Sequence, residues 1–167
     1  MTDSKPAPDL GVVIRRGVPG DEDALVEMNA LLASETEGKT LDASTLRAGV
    51  RAALKDETLA RYFVACVDDR IVGQLMHTWE WSDWRNGSIW WLQSVYVAHE
   101  YRAQGIFRRL FETVLQEAEG DPGVVGIRLY VEGENEAAQE VYRRLGMIPA
   151  GYHVLERMWT RESREST

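Results

Sequence analysis

Arg102-Ala103-Gln104-Gly105-Ile106 stands between a run of apolar residues and a helical stripe, with Arg108 and Arg109 just beyond it. A strand that enters a helix through a glycine turn leaves the first helical N–H groups without intrahelical acceptors. It also aims the positive end of the helix dipole at the same spot. With arginines around it, such a spot attracts phosphate. Other reactive residue types lack partners at useful spacing. Cys66 is the single cysteine, so it forms no internal disulfide, and with no partner histidine in its motif it reads as core. His99 and His153 show no metal-ligand spacing, and no metal is expected.

The elements that must position this turn are a strand and a helix. Residues 89–97 are apolar except for Gln93 and Ser94, the pattern of a strand covered on both faces. Beyond the turn, Phe107, Leu110, Phe111, Val114, Leu115 and Ala118 fall on one helical stripe, as in a helix lying on a sheet. Upstream, a short strand over 10–15 ends in Gly17-Val18-Pro19-Gly20. A helix opened by Asp21, Glu22 and Asp23 follows, and then a polar loop, SETEGKT. Asp42 starts a second helix. Residues 61–67 and 70–81 make a hairpin turned at Asp68-Asp69, and Trp84-Arg85-Asn86-Gly87 turns into the 89–97 strand. A strand over 124–131 should lie parallel to that one, since a helical crossover connects them. Asn135 caps the next helix, Gly146 stops it, and residues 154–159 are expected to close the sheet.

With 167 residues the chain suits one domain able to bury roughly 70% of its unfolded surface. The expected layout is a disordered leader over 1–8, a single domain over 9–160 and a frayed tail over 161–167. No apolar run approaches the roughly 18 residues a membrane span needs, and the opening residues do not read as a secretory signal, so a cytoplasmic protein is expected. A net charge of -8 disfavours nucleic acid and favours a cationic substrate. The class is α/β (α+β), a mixed, mostly antiparallel sheet with helices on its faces.

That element order, with Arg102-Ala103-Gln104-Gly105 at the strand-to-helix turn and Asn135 followed by Ala138 and Tyr142, resembles the GNAT family of acyl-CoA N-acyltransferases over roughly residues 11–159. The resemblance implies the family fold, with its parallel pair splayed, and acetyl-CoA as coenzyme. It implies a diphosphate held at Arg102, Ala103, Gln104, Gly105, Ile106, Phe107 and Arg108, and a pantetheine arm along Ser94, Val95, Tyr96 and Val97. Phe107 departs from the family pattern, which has glycine or alanine there. The resemblance further implies that Asn135 holds the coenzyme and that Tyr142 binds it and protonates the departing thiolate. These two lie seven residues apart, about two turns and roughly 10 Å along one helix face.

Acyl transfer to an amine needs the neutral amine, and at pH 7 only about one amine in 2,500 is neutral when its pKa is about 10.4. Glu80, between Trp79 and Trp81, is the candidate general base, and pairing with Arg85 is its bland alternative. His77, for its pKa, and Glu35 and Glu37, for lying in a loop that would roof the acceptor site, are lesser candidates for the base, and with Trp81 they are candidates for the acceptor site. A base acting through water stays open. The expected activity is acetyl-CoA-dependent transfer to a primary amine of a small molecule or peptide, by direct attack in a ternary complex. The alternative is a non-catalytic acyl-CoA-binding or regulatory module of the same fold. Expected partners are the amine substrate, with no nucleic acid and no membrane; a homodimer stays open.

Overall fold

The computed structural model describes residues 11–159. The chain divides into two compact units, residues 1–130 and 131–167. The expected leader over 1–8 and tail over 161–167 lie outside the described residues.

The first unit holds a five-stranded sheet in the order β1-β2-β3-β4-β5. The strands are β1 (Val13–Arg16), β2 (Arg61–Val67), β3 (Arg70–Ser82), β4 (Gly87–Val97) and β5 (Val124–Leu129). The first three pairings are antiparallel and β4 pairs with β5 in parallel, across the helical crossover. Asp68 and Asp69 both take positive φ, 46° and 62°, as a two-residue hairpin turn demands.

Helices α1 (Glu22–Glu37) and α2 (Ala43–Lys55) cover one face, where Leu25, Val50 and Ala53 pack with Tyr62, Val64 and Cys66. Helix α3 (Ile106–Gly120) covers the other, burying Ile106, Leu110, Phe111, Val114 and Ala118. Alternation along a strand assigns each β3 residue its face. At Gly73 a Cβ would meet Tyr96 O at 3.2 Å and Ile106 Cγ2 at 3.3 Å, so Gly73, Leu75, His77 and Trp79 look toward α3. Gln74, Met76, Thr78 and Glu80 look toward α1 and α2. The second unit contains α4 (Glu136–Arg144), whose N-cap Asn135 accepts a hydrogen bond from Ala138 N at 3.0 Å.

Two expectations are corrected. The stretch Ser34–Glu37 is the last turn of α1, not loop: Gly38, at φ 61°, ends the helix, with Gly38 N and Lys39 N donating to Ser34 O and Ala33 O, both at 3.1 Å. Polar residues on an exposed helical face do not break the helix; the glycine does. Residues 154–159 form no strand, and Leu155 and Met158 are exposed. Strand propensity becomes a strand only where an edge is paired. The first strand runs over Val13–Arg16 rather than 10–15, with residues 11 and 12 outside it; Leu10 lies outside the described residues.

Candidate active site

Strand β4 is interrupted where the sheet changes from antiparallel to parallel pairing. Parallel pairing of β4 with β5 stops at Leu92 opposite Leu129. Two residues later Ser94 takes φ 50°, and the register against β3 jumps from Met76–Gln93 to Gln74–Tyr96. Ser94 and Val95 together therefore oppose Leu75, a β-bulge on β4. Beyond Leu92 the β5-facing backbone of β4 has no strand partner among the described residues.

The strand runs into the phosphate-type turn. After a 3₁₀ turn over His99–Tyr101, Ala103 and Gly105 both take positive φ, 59° and 79°. Gly105 caps α3 with no side-chain acceptor, and a Cβ built on it would meet nothing within 4 Å. A turn that needs glycine for its conformation, with open space beside it and the first amides of a long helix just after it, fits an anionic group such as a coenzyme diphosphate. Around this turn Gln104 Nε2 donates to Glu100 O at 2.8 Å and Arg108 pairs with Glu112 at 2.7 Å. Ile106 is buried, and the Phe107 ring lies 6.0 Å from that of Phe111.

Arg102 links this turn to α1. Its Nε donates to Val97 O at 2.9 Å and its Nη2 to Glu35 at 2.5 Å, with the guanidinium 5.3 Å from the Tyr96 ring centroid. The Tyr96 hydroxyl also donates to Glu35, at 2.8 Å. The Arg102 guanidinium, helped by Tyr96, holds the Glu35 carboxyl below the usual carboxylate range. Glu35 thus sits beside Arg102, on a helix rather than on a roofing loop, and Glu37 pairs with Lys39 at the exposed helix end.

Glu80 lies elsewhere on the same face of the sheet, and its partner is Arg128 on β5, at 2.8 Å, rather than Arg85. Trp91 Nε1 donates to its other oxygen. The Tyr130 ring lies 4.5 Å from that of Trp91, and Gln93 Nε2 donates to Thr78 Oγ1 at 2.8 Å. A half-exposed carboxylate is therefore framed by an arginine and two aromatic rings. Trp81, on the opposite face by alternation and 65% exposed, does not join it. His77 is fully buried and stacked on Trp90, with centroids 4.0 Å apart. In the second unit Tyr142 lies on α4, and burial pushes its phenol above the ordinary value.

Sequence reasoning did not single out Arg128, Gln74, Tyr62 or Asn29. Gln74 carried one signal, a polar residue in the apolar run Ile71-Val72-Gly73-Gln74-Leu75-Met76.

As a class this is a mixed α/β fold whose central strand ends in a bulge and a glycine-led helix N-terminus. The chain belongs to the GNAT family: the model described as Acetyltransferase (GNAT) family matches residues 26–147. A thialysine N-epsilon-acetyltransferase of Bos taurus is 34% identical over 76 residues, which make up 46% of this chain and 44% of that protein. The match thus spans less than half of that relative's length. The crystal structure of a possible acetyltransferase from Clostridium difficile 630 is 45% identical, with a TM-score of 0.84, over 90% of this chain and 99% of that one. A predicted acetyltransferase from Clostridium acetobutylicum, solved with acetyl-CoA, is 16% identical with a TM-score of 0.72, over 87% and 96% of the two chains; that likeness is of fold alone. Among the described residues no helix is long and apolar enough to cross a membrane, and no group of three or more metal-ligating side chains occurs.

Proposed function

We propose that this chain is an acetyl-CoA-dependent N-acetyltransferase that acylates a primary amine of a small molecule or peptide by direct attack in a ternary complex. The observation that carries the reading is the bulge at Ser94 beside the last β4–β5 pair, followed by the Gly105 turn. An extended ligand with amide groups at one end and a diphosphate at the other matches open strand backbone followed by a helix N-terminus. Family membership and the fold shared with the acetyl-CoA-bound neighbour support the same choice of coenzyme. Acetyl-CoA supplies the acetyl group already activated as a thioester.

The chain's own residues then have separate tasks. Backbone groups of Ser94, Val95, Tyr96 and Val97 hold the pantetheine arm, and the amides at 104–108 with Arg102 hold the diphosphate. Asn135 adds to coenzyme binding. Glu80 takes the proton from the amine, directly or through one water, since each carboxylate oxygen keeps a lone pair after its bond to Trp91 or Arg128. Tyr142 donates to the departing thiolate, and a phenol whose pKa is raised is protonated at neutral pH and able to do so. The net charge of -8 suits a cationic acceptor. A cytoplasmic location belongs to the same reading.

The test combines turnover with binding. Acetyl-CoA and a panel of amines are incubated with the protein and free thiol is followed, while coenzyme A affinity is measured by calorimetry. Turnover on at least one amine is expected, with coenzyme A binding lost in Gly105→Glu and kcat lowered far more than affinity in Tyr142→Phe. Near-normal coenzyme A affinity in Gly105→Glu would overturn the turn assignment. An unchanged rate in Tyr142→Phe would leave that residue a packing role.

A further inference from the structure

Gln74 is fully buried in the middle of β3, where leucine or methionine would fill the space without any polar group to satisfy. Its Nε2 donates to Ser94 O at 3.1 Å, and its Oε1 has no partner among the described residues. Leaving one buried polar atom unpaired costs about 1–3 kcal/mol, so an apolar residue would make the better core. What the amide does supply is a donor at the one place where the β3–β4 ladder is broken. Ser94 sits there with φ 50°, a conformation that costs a non-glycine residue about 1–2 kcal/mol unless its surroundings enforce it.

On the neighbouring strand β2, the Tyr62 phenol, raised by burial, accepts from Asn29 Nδ2 at 3.3 Å, and Asn29 Nδ2 also donates to Leu25 O at 2.9 Å. Asn29, Tyr62 and Gln74 are all buried, and they come from α1, β2 and β3. Without the bulge, β4 would slip by one residue. Every side chain after Ser94 would change faces, taking Tyr96 away from Glu35 and moving the strand end that leads to Arg102.

We propose that Gln74 is a positioning residue for acyl transfer: its amide pins the Ser94 carbonyl in the bulged, left-handed conformation and so keeps the β5-facing backbone of β4 open for the acyl coenzyme. This rests on the coenzyme site proposed above.

The test is a double-mutant cycle on the full chain with Gln74→Leu and Ser94→Gly. Glycine adopts positive φ at no steric cost, so it relieves the need for the pin. Gln74→Leu is expected to keep the thermal midpoint at or above that of the parent protein. It should weaken coenzyme A binding and raise the KM for acetyl-CoA about tenfold, leave the KM for the amine unchanged, and speed amide hydrogen exchange at 93–97 in the free protein. In the Ser94→Gly background the same substitution should cost less than about threefold. An equal loss in both backgrounds, or unchanged coenzyme A affinity and exchange in Gln74→Leu, overturns the proposal. Gln74→Met replaces Gln74→Leu should the latter fail to fold. Coenzyme A affinity that is insensitive to Gly105→Glu instead defeats the coenzyme site itself, and with it the task assigned to Gln74.

Discussion

Replacing His77 with phenylalanine should change how the protein responds to acid while leaving its packing nearly intact. The imidazole is fully buried, 4.0 Å from and almost parallel to the Trp90 ring and 4.9 Å from that of Trp79, and neither ring nitrogen has a partner among the described residues. Burial, reinforced by the Arg61 guanidinium lying against Trp79 and Trp90, lowers its pKa from 6.5 to about 4. The folded pKa is thus below the unfolded one, so the unfolded chain takes up a proton first. The contribution is fully present above the unfolded value of 6.5 and is lost as pH falls toward about 4. At about 1.4 kcal/mol per pH unit this amounts to about 1 kcal/mol by pH 5.5 and about 3 kcal/mol once both states are protonated. The assay is urea unfolding of the parent protein and His77→Phe between pH 7.5 and 4.5. The carboxylates Asp21 and Glu35, both held low by arginines, also lose their contributions in acid, but equally in both proteins. The difference between the two stabilities should therefore move in favour of the variant by about 2–3 kcal/mol across this range. Parallel curves, within about 0.5 kcal/mol, would refute the reasoning.

Other residues give more direct functional tests. Glu80→Gln should lower kcat about 100-fold at pH 7, with the gap closing toward pH 10 as the amine deprotonates unaided; a loss under about threefold at pH 7 would assign the base to water. Arg102→Ala should weaken coenzyme A binding about tenfold and flatten its salt dependence, whereas unchanged binding would leave Arg102 only its links to Glu35 and Val97. Asn135→Ala removes the cap on Ala138 N and should cost about 1 kcal/mol in α4, seen as faster amide exchange in that helix; unaltered exchange would show the cap to be dispensable.

Local signals were legible in the sequence and long-range pairings were not. The Asp68-Asp69 turn, the α3 stripe and the Asn135 cap rest on residues within a few positions of one another, and each forms as read. The fold class followed from the order of such elements. The bulge at Ser94 depends on which residue of β3 faces which residue of β4, and no local pattern encodes that register. Glu80 meets Arg128, 48 positions away, instead of the nearby Arg85, because the parallel pairing of β4 with β5 brings that arginine across. Helix α1 runs through Ser34–Glu37 because its stop is Gly38, not the polar residues before it. Residues 154–159 are apolar at four of six positions, yet a strand needs an edge to pair with.

The most direct test of the central claim is a crystal structure with coenzyme A bound. The diphosphate is expected against the backbone amides that follow Gly105, and the pantetheine amides should pair with β4 between Ser94 and Val97. A coenzyme seated elsewhere, or a β4 that straightens at Ser94 when the coenzyme binds, would contradict the account.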